Sequence, residues 1–285
     1  MTRICVVSKL VCAMAAVVVL SGCLNVSTIV RVAPDGSGTI EQTVMFNPRN
    51  IEQALAGMGF KPTSAAQASG GKAPAIDEAG VRRSVGAMGE GVRVMSVTPV
   101  TLADGFQGVR AKFAFSDITK LNSEELLMPG PAKQEISGGR DIGNAVAFAM
   151  RRTPQGTSVL TMTFDQGTDK PAKIGKTGAP KAGKTGPGLD DADGQQMLKT
   201  MLKGFRIGMD VEVIGQVVET NADYVVGPRI TLLEIDLESL VKDPKKLDSL
   251  DKILGPDTSI EKARPYLKDV KGLKINRPVV SVEFR

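Results

Sequence analysis

The sequence predicts an α+β fold, a mostly antiparallel sheet built from successive β-hairpins with short helices between them. Two observations support this prediction. Four stretches of the 285-residue chain share one plan, in which a strand, a turn and a second strand are followed by a helix or a linker. In addition, apolar residues alternate along the strands but recur at helical spacing in several of the segments between them.

The first hairpin covers residues 26–46 and turns at Pro34-Asp35-Gly36, between two arms rich in β-branched residues. Asn47 and Pro48 then provide an N-cap and a first-turn proline. Apolar residues at helical spacing follow over residues 51–58, and they predict a short helix.

The second hairpin covers residues 92–115 and turns at Asp104-Gly105. Its second arm should be half buried, with Ala111, Phe113 and Phe115 on one face and Arg110 and Lys112 on the other. Ser116 or Asp117 is expected to cap a short helix after this arm.

The third hairpin covers residues 145–164 and turns at Pro154-Gln155-Gly156. A helix with apolar residues at 197, 198, 201 and 202 is expected before Gly204. The fourth pairs strands 205–213 and 229–237 around a turn at 221–228. Short helices follow the fourth hairpin. A final strand, 279–284, brings the number of predicted strands to nine. Periodicity does not decide whether they form one sheet or two domains.

The N-terminus is predicted to be an export signal. Arg3 and Lys9 precede an uncharged apolar run, Leu10–Leu20, that is too short for a stable membrane span. The following residues, Leu20-Ser21-Gly22-Cys23, resemble the lipobox of bacterial lipoproteins. The resemblance implies a signal peptide over 1–22 and a diacylglyceryl group on Cys23. The alternative is an ordinary signal peptide that contains a cysteine.

Cleavage before Cys23 would leave an extracytoplasmic domain, 23–285, held at a membrane of the cell envelope. It would also remove Cys5 and Cys12, so that the mature chain has no cysteine left for a disulfide. Loss of Arg3 and Lys9 lowers the formal charge from +5 by two. The remaining charge is too small to predict a nucleic-acid partner.

One motif in the chain imitates a nucleotide site. GAPKAGKT, residues 178–185, matches the phosphate-loop pattern, but Pro171 and Pro187 occur where a buried strand and a helix should adjoin it. The region 165–192 has the Lys, Gly, Pro and Thr content of a flexible insert, as has 61–75. We therefore predict no nucleotide binding.

The sequence offers few of the residues that catalysis and metal binding commonly use. The chain contains no histidine, and so it lacks the commonest general base and metal ligand. The acidic run 190–194 fails as a calcium loop, because Leu189 and Thr200 occupy two required ligand positions. Four carboxylates on adjoining strands could in principle pair, but their alternation favours the solvated face of a half-buried hairpin: Asp210, Glu212, Glu234 and Asp236. We predict a non-enzymatic protein without a cofactor.

The segment DGFQGVRAKFAFSDITKL, 104–121, resembles part of the LppM-type lipoproteins of mycobacteria. The matching residues are Asp104, Gly105, Phe106, Gly108, Ala111, Phe113, Ser116, Asp117, Ile118 and Thr119. A second similarity involves Gly215, Val217, Thr220 and Asn221. The resemblance implies an envelope lipoprotein with an α+β domain that handles lipids or glycolipids.

Two functions are therefore expected for the tethered domain. A lipid or other apolar ligand could occupy a cavity lined by strands 109–115 and 205–213 and by the helix near 197–202. Several methionines on apolar faces suit an adaptable pocket or a plain core: Met95, Met150, Met162, Met197, Met201 and Met209. The alternative is a structural or assembly lipoprotein that engages another envelope protein.

Overall fold

The computed structural model describes residues 24–50, 78–127, 146–164, 204–241, 267, 268 and 270–285. Within these ranges there are twelve strands: Leu24–Val32 (β1), Gly38–Phe46 (β2), Arg93–Thr101 (β3), Gln107–Phe115 (β4), Val146–Arg152 (β5), Ser158–Phe164 (β6), Arg206–Val213 (β7), Val217–Thr220 (β8), Val225–Val226 (β9), Arg229–Asp236 (β10), Leu273–Ile275 (β11) and Val279–Phe284 (β12).

The described helices are short. Three α-helices lie wholly within the described ranges, Glu78–Ser84 (α1), Ser123–Leu127 (α2) and Leu237–Val241 (α3), as do two 3-10 turns, Val85–Met88 and Ile118–Lys120. Residues 48–50 are helical as well. The Asp117 carboxylate accepts a hydrogen bond from the Thr119 amide at 2.9 Å, which confirms Asp117 as a cap. Asn47 likewise accepts from the Arg49 amide at 3.1 Å, while residues 51–58 lie outside the described part of the chain.

The described strands form two sheets. The larger has the order β11-β10-β7-β1-β2-β4-β3, with β9 paired to β10, and the smaller has the order β5-β6-β12-β8. All pairings are antiparallel except that of β1 with β7. The predicted α+β class, with mostly antiparallel hairpins, is confirmed.

The strand number was predicted wrongly, and the fourth hairpin was predicted correctly in its pairing but not in its connection. β7 does pair with β10, but the connection between them is not a simple turn. It contains β8, which joins the smaller sheet beside β12, and β9, which extends the edge of the larger sheet. Together with β11, these strands of two to four residues bring the described total to twelve rather than nine. Such segments are too short to show a period, and distant partners stabilise them.

Three hairpins turn in the same way, as their Pro/Asp/Gly sequences predict. In each, a glycine with φ between 83° and 90° closes the turn: Gly36, Gly105 and Gly156. Positive φ is strained for residues that carry a Cβ, so these three positions favour glycine. The Gly36 and Gly156 turns both belong to the end of the molecule where the two sheets meet, because Ser158 Oγ donates to the Pro34 carbonyl at 2.6 Å.

The inner faces of the two sheets fill one another. A single buried cluster contains Ile40, Phe113 and Met209 from the larger sheet together with Leu160, Met162 and Phe284 from the smaller one, all with at most 1% of their surface exposed. Ala111, Phe113 and Phe115 are buried and Arg110 and Lys112 are exposed, as predicted for the second arm of the second hairpin. The protein is therefore a β-sandwich at this end, stabilised by apolar burial.

Two buried polar side chains interrupt the apolar inner face of β1 and β2. Thr28 is 1% exposed and donates to the Leu126 carbonyl at 2.7 Å. Gln42 is 5% exposed and donates to the Glu125 and Leu126 carbonyls at 3.2 and 3.1 Å. The carbonyls at the end of α2 have no partner within the helix, so these side chains satisfy them and dock α2 on the sheet.

Gly108 permits a close approach between β4 and β2. A Cβ at this position would lie 2.0 Å from the Val44 carbonyl oxygen and 2.8 Å from the Met45 Cα, both of which are backbone atoms that cannot rotate away. Gly208 in β7 provides a matched comparison, because its nearest neighbour to an added Cβ is the Leu233 carbonyl oxygen at 3.9 Å.

We expect Gly108→Ala to lower the free energy of unfolding by about 1–3 kcal/mol, because β2 and β4 must separate to accommodate the methyl group. Gly208→Ala should change it by less than about 1 kcal/mol, since space is available and the unfolded chain loses freedom. Urea denaturation of both variants measures the difference. Equal midpoints for the two variants would contradict this account of Gly108.

Candidate functional site

Cys23, the predicted lipidation residue, lies outside the described residues, but its position relative to the fold follows from the chain. β1 begins at Leu24, the next residue, and Leu24 is only 7% exposed. Successive Cα atoms are about 3.8 Å apart. Cys23 is therefore joined to the larger sheet without a spacer.

The strand ends nearest Cys23 in the chain form one end of the larger sheet, which the strand register defines. Leu24 pairs with Phe46, Phe46 with Gln107, and Gln107 with Thr101, while Arg206 pairs with Asn25 on the other side of β1. We call this end of the larger sheet the anchor end. The opposite, distal end contains Val32 and Val213, which also pair, and the sandwich with the smaller sheet lies on that side.

A second apolar cluster occupies the anchor end. It consists of Leu24, Val26, Val44, Phe205 and Ile207, each at most 9% exposed, with Ile235 and Leu237 packed against it. Thr28 and Gln42 separate this cluster from the sandwich core along β1 and β2, because they occupy the intervening inward positions. In the sequence, their only signal is that each is polar at an inward position of an alternating strand.

The cavity expected between strands 109–115 and 205–213 is filled over much of its length. Val109, Phe113, Met209 and Val211 belong to the sandwich core, where Met209 and Val211 have no exposed surface. Phe205 and Ile207 belong instead to the anchor-end cluster. The helix near 197–202 and its methionines lie outside the described residues.

The remaining methionines differ in environment. Met162, like Met209, has no exposed surface, Met150 packs partly buried against the same core, and Met95 is 60% exposed on β3. Met162 and Met209 are thus core-filling residues, and Met95 is a surface residue.

The four candidate carboxylates are on adjoining strands, as predicted, but two of them are bound to cations and not to one another. Glu212 Oε2 accepts a hydrogen bond from Arg229 Nη2 at 2.7 Å, and its other oxygen lies 3.5 Å from Arg31 Nε. Glu234 contacts Arg206 at 3.0 Å and Lys274 at 2.7 Å. These pairs cross neighbouring strands on the outer face of the sheet.

Asp236 and Asp210 have surroundings different from those of Glu212 and Glu234. Asp236 accepts hydrogen bonds from the amide and hydroxyl of Ser239 at 3.0 and 2.8 Å, and so it caps α3. Asp210 lies opposite Thr231 in the register. The arrangement is that of a solvated sheet face, in which Glu212 and Glu234 each contact two cationic side chains.

Ion pairs continue across the outer face as a ladder over five strands. Glu41 of β2 lies 3.1 Å from Arg31 and within 3.9 Å of both Arg110 and Lys112 of β4. Arg31 in turn contacts Glu212, which contacts Arg229. We call the series from Lys112 to Arg229 the charge ladder.

The charge ladder changes the ionisation of Glu212. The hydrogen bond from Arg229 lowers the pKa of the Glu212 carboxyl, and the nearby Arg31 lowers it further, while partial burial opposes both. The same hydrogen bond raises the pKa of Arg229. Beside the ladder, a polar groove of about 230 Å³ lies over Gly208, between Asn25, Ser27 and Thr231.

A second polar cleft, of about 380 Å³, lies at the distal end between the first hairpin turn and β5. Its walls include Asp35, Asp117, Arg151 and Arg152. The hydroxyl of Ser37 lowers the pKa of Asp35, and the hydroxyl of Thr119 lowers that of Asp117, in each case with help from the amide of the same residue. Both carboxylates are therefore held as anions by local turn hydrogen bonds.

Several sequence motifs lie outside the described part of the chain. Residues 178–185 and 190–194 lie outside the described ranges, as do the predicted inserts 61–75 and 165–192. Among the residues described, no group of three or more His, Cys, Asp and Glu side chains is placed to hold a metal ion. No helix in those ranges has the length and apolar character needed to cross a membrane.

Comparison with known proteins gave one structural match of low similarity. It is the NMR structure of the folded domain of LppM from Mycobacterium tuberculosis, with a TM-score of 0.36 and 13% sequence identity over 93% of this chain and 91% of that chain. No protein-family model matches the sequence, and neither does any curated protein.

We expect Glu212→Gln to reduce the free energy of unfolding at neutral pH by about 1 kcal/mol or less, because the ion pairs of a partly exposed ladder are weak individually. Since the folded-state pKa of Glu212 is lowered, its contribution is present at neutral pH and is lost as the pH falls through that pKa. The stability difference between wild type and variant should therefore shrink towards about pH 3. Urea midpoints across this range measure it.

Glu219→Gln, at an exposed position of β8, is the matched control and should leave the pH profile close to that of wild type. A Glu212→Gln difference that is the same at neutral and acid pH would show that Glu212 does not contribute through its charge.

Proposed function

We propose that this protein is a lipid-anchored lipoprotein of the cell envelope that acts by binding and not by catalysis. The observation that carries the proposal is the direct junction of the lipobox, Leu20-Ser21-Gly22-Cys23, with β1 at Leu24. A diacylglyceryl group on Cys23 would hold the domain at a membrane by its anchor end, one residue away from a buried strand.

The outer-face chemistry supports a non-enzymatic function. Glu212 and Glu234 each have two cationic partners, so neither is poised as a free general base. The absence of histidine from the sequence removes the usual alternative.

For the ligand, we propose a lipid or other apolar molecule bound beside the anchor-end cluster. The sandwich core offers no comparable place, because side chains of both sheets fill it along β4 and the second half of β7. The anchor-end cluster is a second buried apolar region, separate from the sandwich core, and the lipobox would keep it close to membrane lipids. Burial of acyl chains there would contribute about 25 cal/mol per Å² of apolar surface removed from water.

A second candidate function, engagement of another envelope protein, is favoured by the segment 214–226. It contributes β8 and β9, both of which are short strands at sheet edges. Four exposed apolar side chains belong to it: Ile214, Val218, Val225 and Val226. Unpaired edges with apolar side chains are suited to pairing with a strand of a partner.

The anchor itself is tested by Cys23→Ser. We expect this variant to lose lipidation and to accumulate as uncleaved precursor or mislocalised protein, because serine lacks the thiol that carries the diacylglyceryl group. Ser21→Ala is the control and should be processed normally, since it keeps a small residue before the cysteine. Membrane fractionation and intact-mass measurement decide between them. A Cys23→Ser protein processed and retained like wild type would contradict the lipoprotein proposal.

The ligand is tested by native mass spectrometry of the lipidated protein purified from its own membrane. We expect a non-covalent lipid to be retained by wild type and Val30→Thr but lost in Val26→Thr. Both valines are buried on the same face of β1, but Val26 belongs to the anchor-end cluster and Val30 to the sandwich core. If all three proteins carry no lipid, and no envelope lipid raises their melting temperatures, the assembly function is favoured.

A further inference from the structure

The tip of the β3–β4 hairpin lies level with the proposed attachment point of the lipid. Leu24 and Thr101 occupy one row of the sheet, through Phe46 and Gln107. Leu102 is one residue beyond that row, which is about 3.3 Å along a strand, and Leu24 in the row follows Cys23 directly in the chain. Since β1 and β3 are separated by β2 and β4, the two positions are about 14 Å apart across the sheet.

This tip presents an apolar side chain to the surroundings. Leu102 is 42% exposed, and its neighbours Thr101, Ala103 and Asp104 are exposed too. Two other exposed apolar side chains lie at the distal end. Val226 is 81% exposed on the hairpin that meets the end of β7, and Ile214 follows β7 directly, where its amide donates to the Val32 carbonyl at 2.7 Å.

The hairpin tip is held in place by hydrogen bonds. The Leu102 amide donates to the Phe106 carbonyl at 2.8 Å, and the Gly105 amide donates to the Leu102 carbonyl at 3.1 Å. Asn47 Nδ2, which follows β2, donates to the Asp104 carbonyl at 3.1 Å. These contacts fix the height of Leu102 relative to β1 and thus relative to Cys23.

The charges at this end set how deeply it can enter a membrane. Asp104 carries a carboxylate at the tip, and burial of this charge in hydrocarbon would be costly. Arg49 and Lys271 are exposed on segments that adjoin the anchor end, where they can approach lipid phosphates. The composition therefore suits contact at the headgroup level and not insertion into the bilayer core.

We propose that the anchor end of the domain rests directly on the bilayer surface, with the Leu102 hairpin tip as a second lipid contact beside acylated Cys23. This inference depends on the lipid anchor proposed above. One leucine binds a membrane weakly, but the anchor makes its contact intramolecular, so a high local lipid concentration compensates for low affinity. Two contacts about 14 Å apart then fix the orientation of the sheet, with its distal end pointing away from the membrane.

The test uses the full-length lipidated protein with one engineered cysteine labelled by an environment-sensitive fluorophore. Acylation of Cys23 and loss of Cys5 and Cys12 with the signal peptide leave the engineered thiol as the sole reactive one. Leu102→Cys and Ala103→Cys report the tip, and Val226→Cys is the matched control at the distal end. Each protein is reconstituted in vesicles of phosphatidylethanolamine and phosphatidylglycerol, with and without brominated phosphatidylcholine.

We expect both tip probes to be quenched by brominated lipid and to lose most of their quenching by aqueous iodide on reconstitution. The Val226 probe should show the reverse. If the labelled proteins float with the vesicles but the tip probes remain as open to iodide as the Val226 probe, the proposed orientation is wrong although the anchor is intact.

Labelling of the protein without an engineered cysteine separates the two proposals. Reaction at Cys23 in that protein would mean that the thiol is not acylated, which overturns the lipid anchor itself. The pair of tip positions keeps the test independent of Leu102, because Ala103→Cys retains the native leucine.

Discussion

The pairing of β1 with β2 on one side and with β7 on the other is the constraint on which the rest of the structure depends. The pairing of β1 with β7 is the only parallel one among the described strands, and β7 comes from the far part of the chain. Inward residues of β1 enter both apolar clusters, and its outward Arg31 links two halves of the charge ladder. Because β1 also follows Cys23 directly, the anchor would act on the strand that joins the hairpins into one sheet.

The inner face of the larger sheet packs differently at its two ends. Towards Val32 the inner face packs against the smaller sheet, and the packed interior provides much of the apolar burial expected for a domain without disulfides. Towards Leu24 the inner face carries a smaller, separate cluster. Thr28 and Gln42 stand between them and dock α2, so a satisfied polar layer separates the two apolar regions.

The outer face is governed by charge and not by packing. Glu212 and Glu234 are each shared between two cations, which keeps the sheet face hydrated and blunts its tendency to associate. Such a face is consistent with the proposal that this protein acts by binding at its ends. Among the described residues the protein has few exposed large apolar side chains, and these include Leu102 at the anchor end and Val226 at the distal end.

The sequence by itself determined the local features of this protein. Alternation placed Phe113 inward and Lys112 outward, and the turn residues around Gly36, Gly105 and Gly156 located three hairpins, because both signals act within a few residues. It also contains the lipobox-like residues Leu20-Ser21-Gly22-Cys23, whose junction with a strand is the basis of the proposed tether. Only the tertiary structure decided the parallel pairing of β1 with β7, the transfer of β8 to a second sheet, and the pairing of Glu212 with Arg229 and Arg31. These features join residues that are distant in sequence, and no periodicity records which distant partner a strand or a charge will meet.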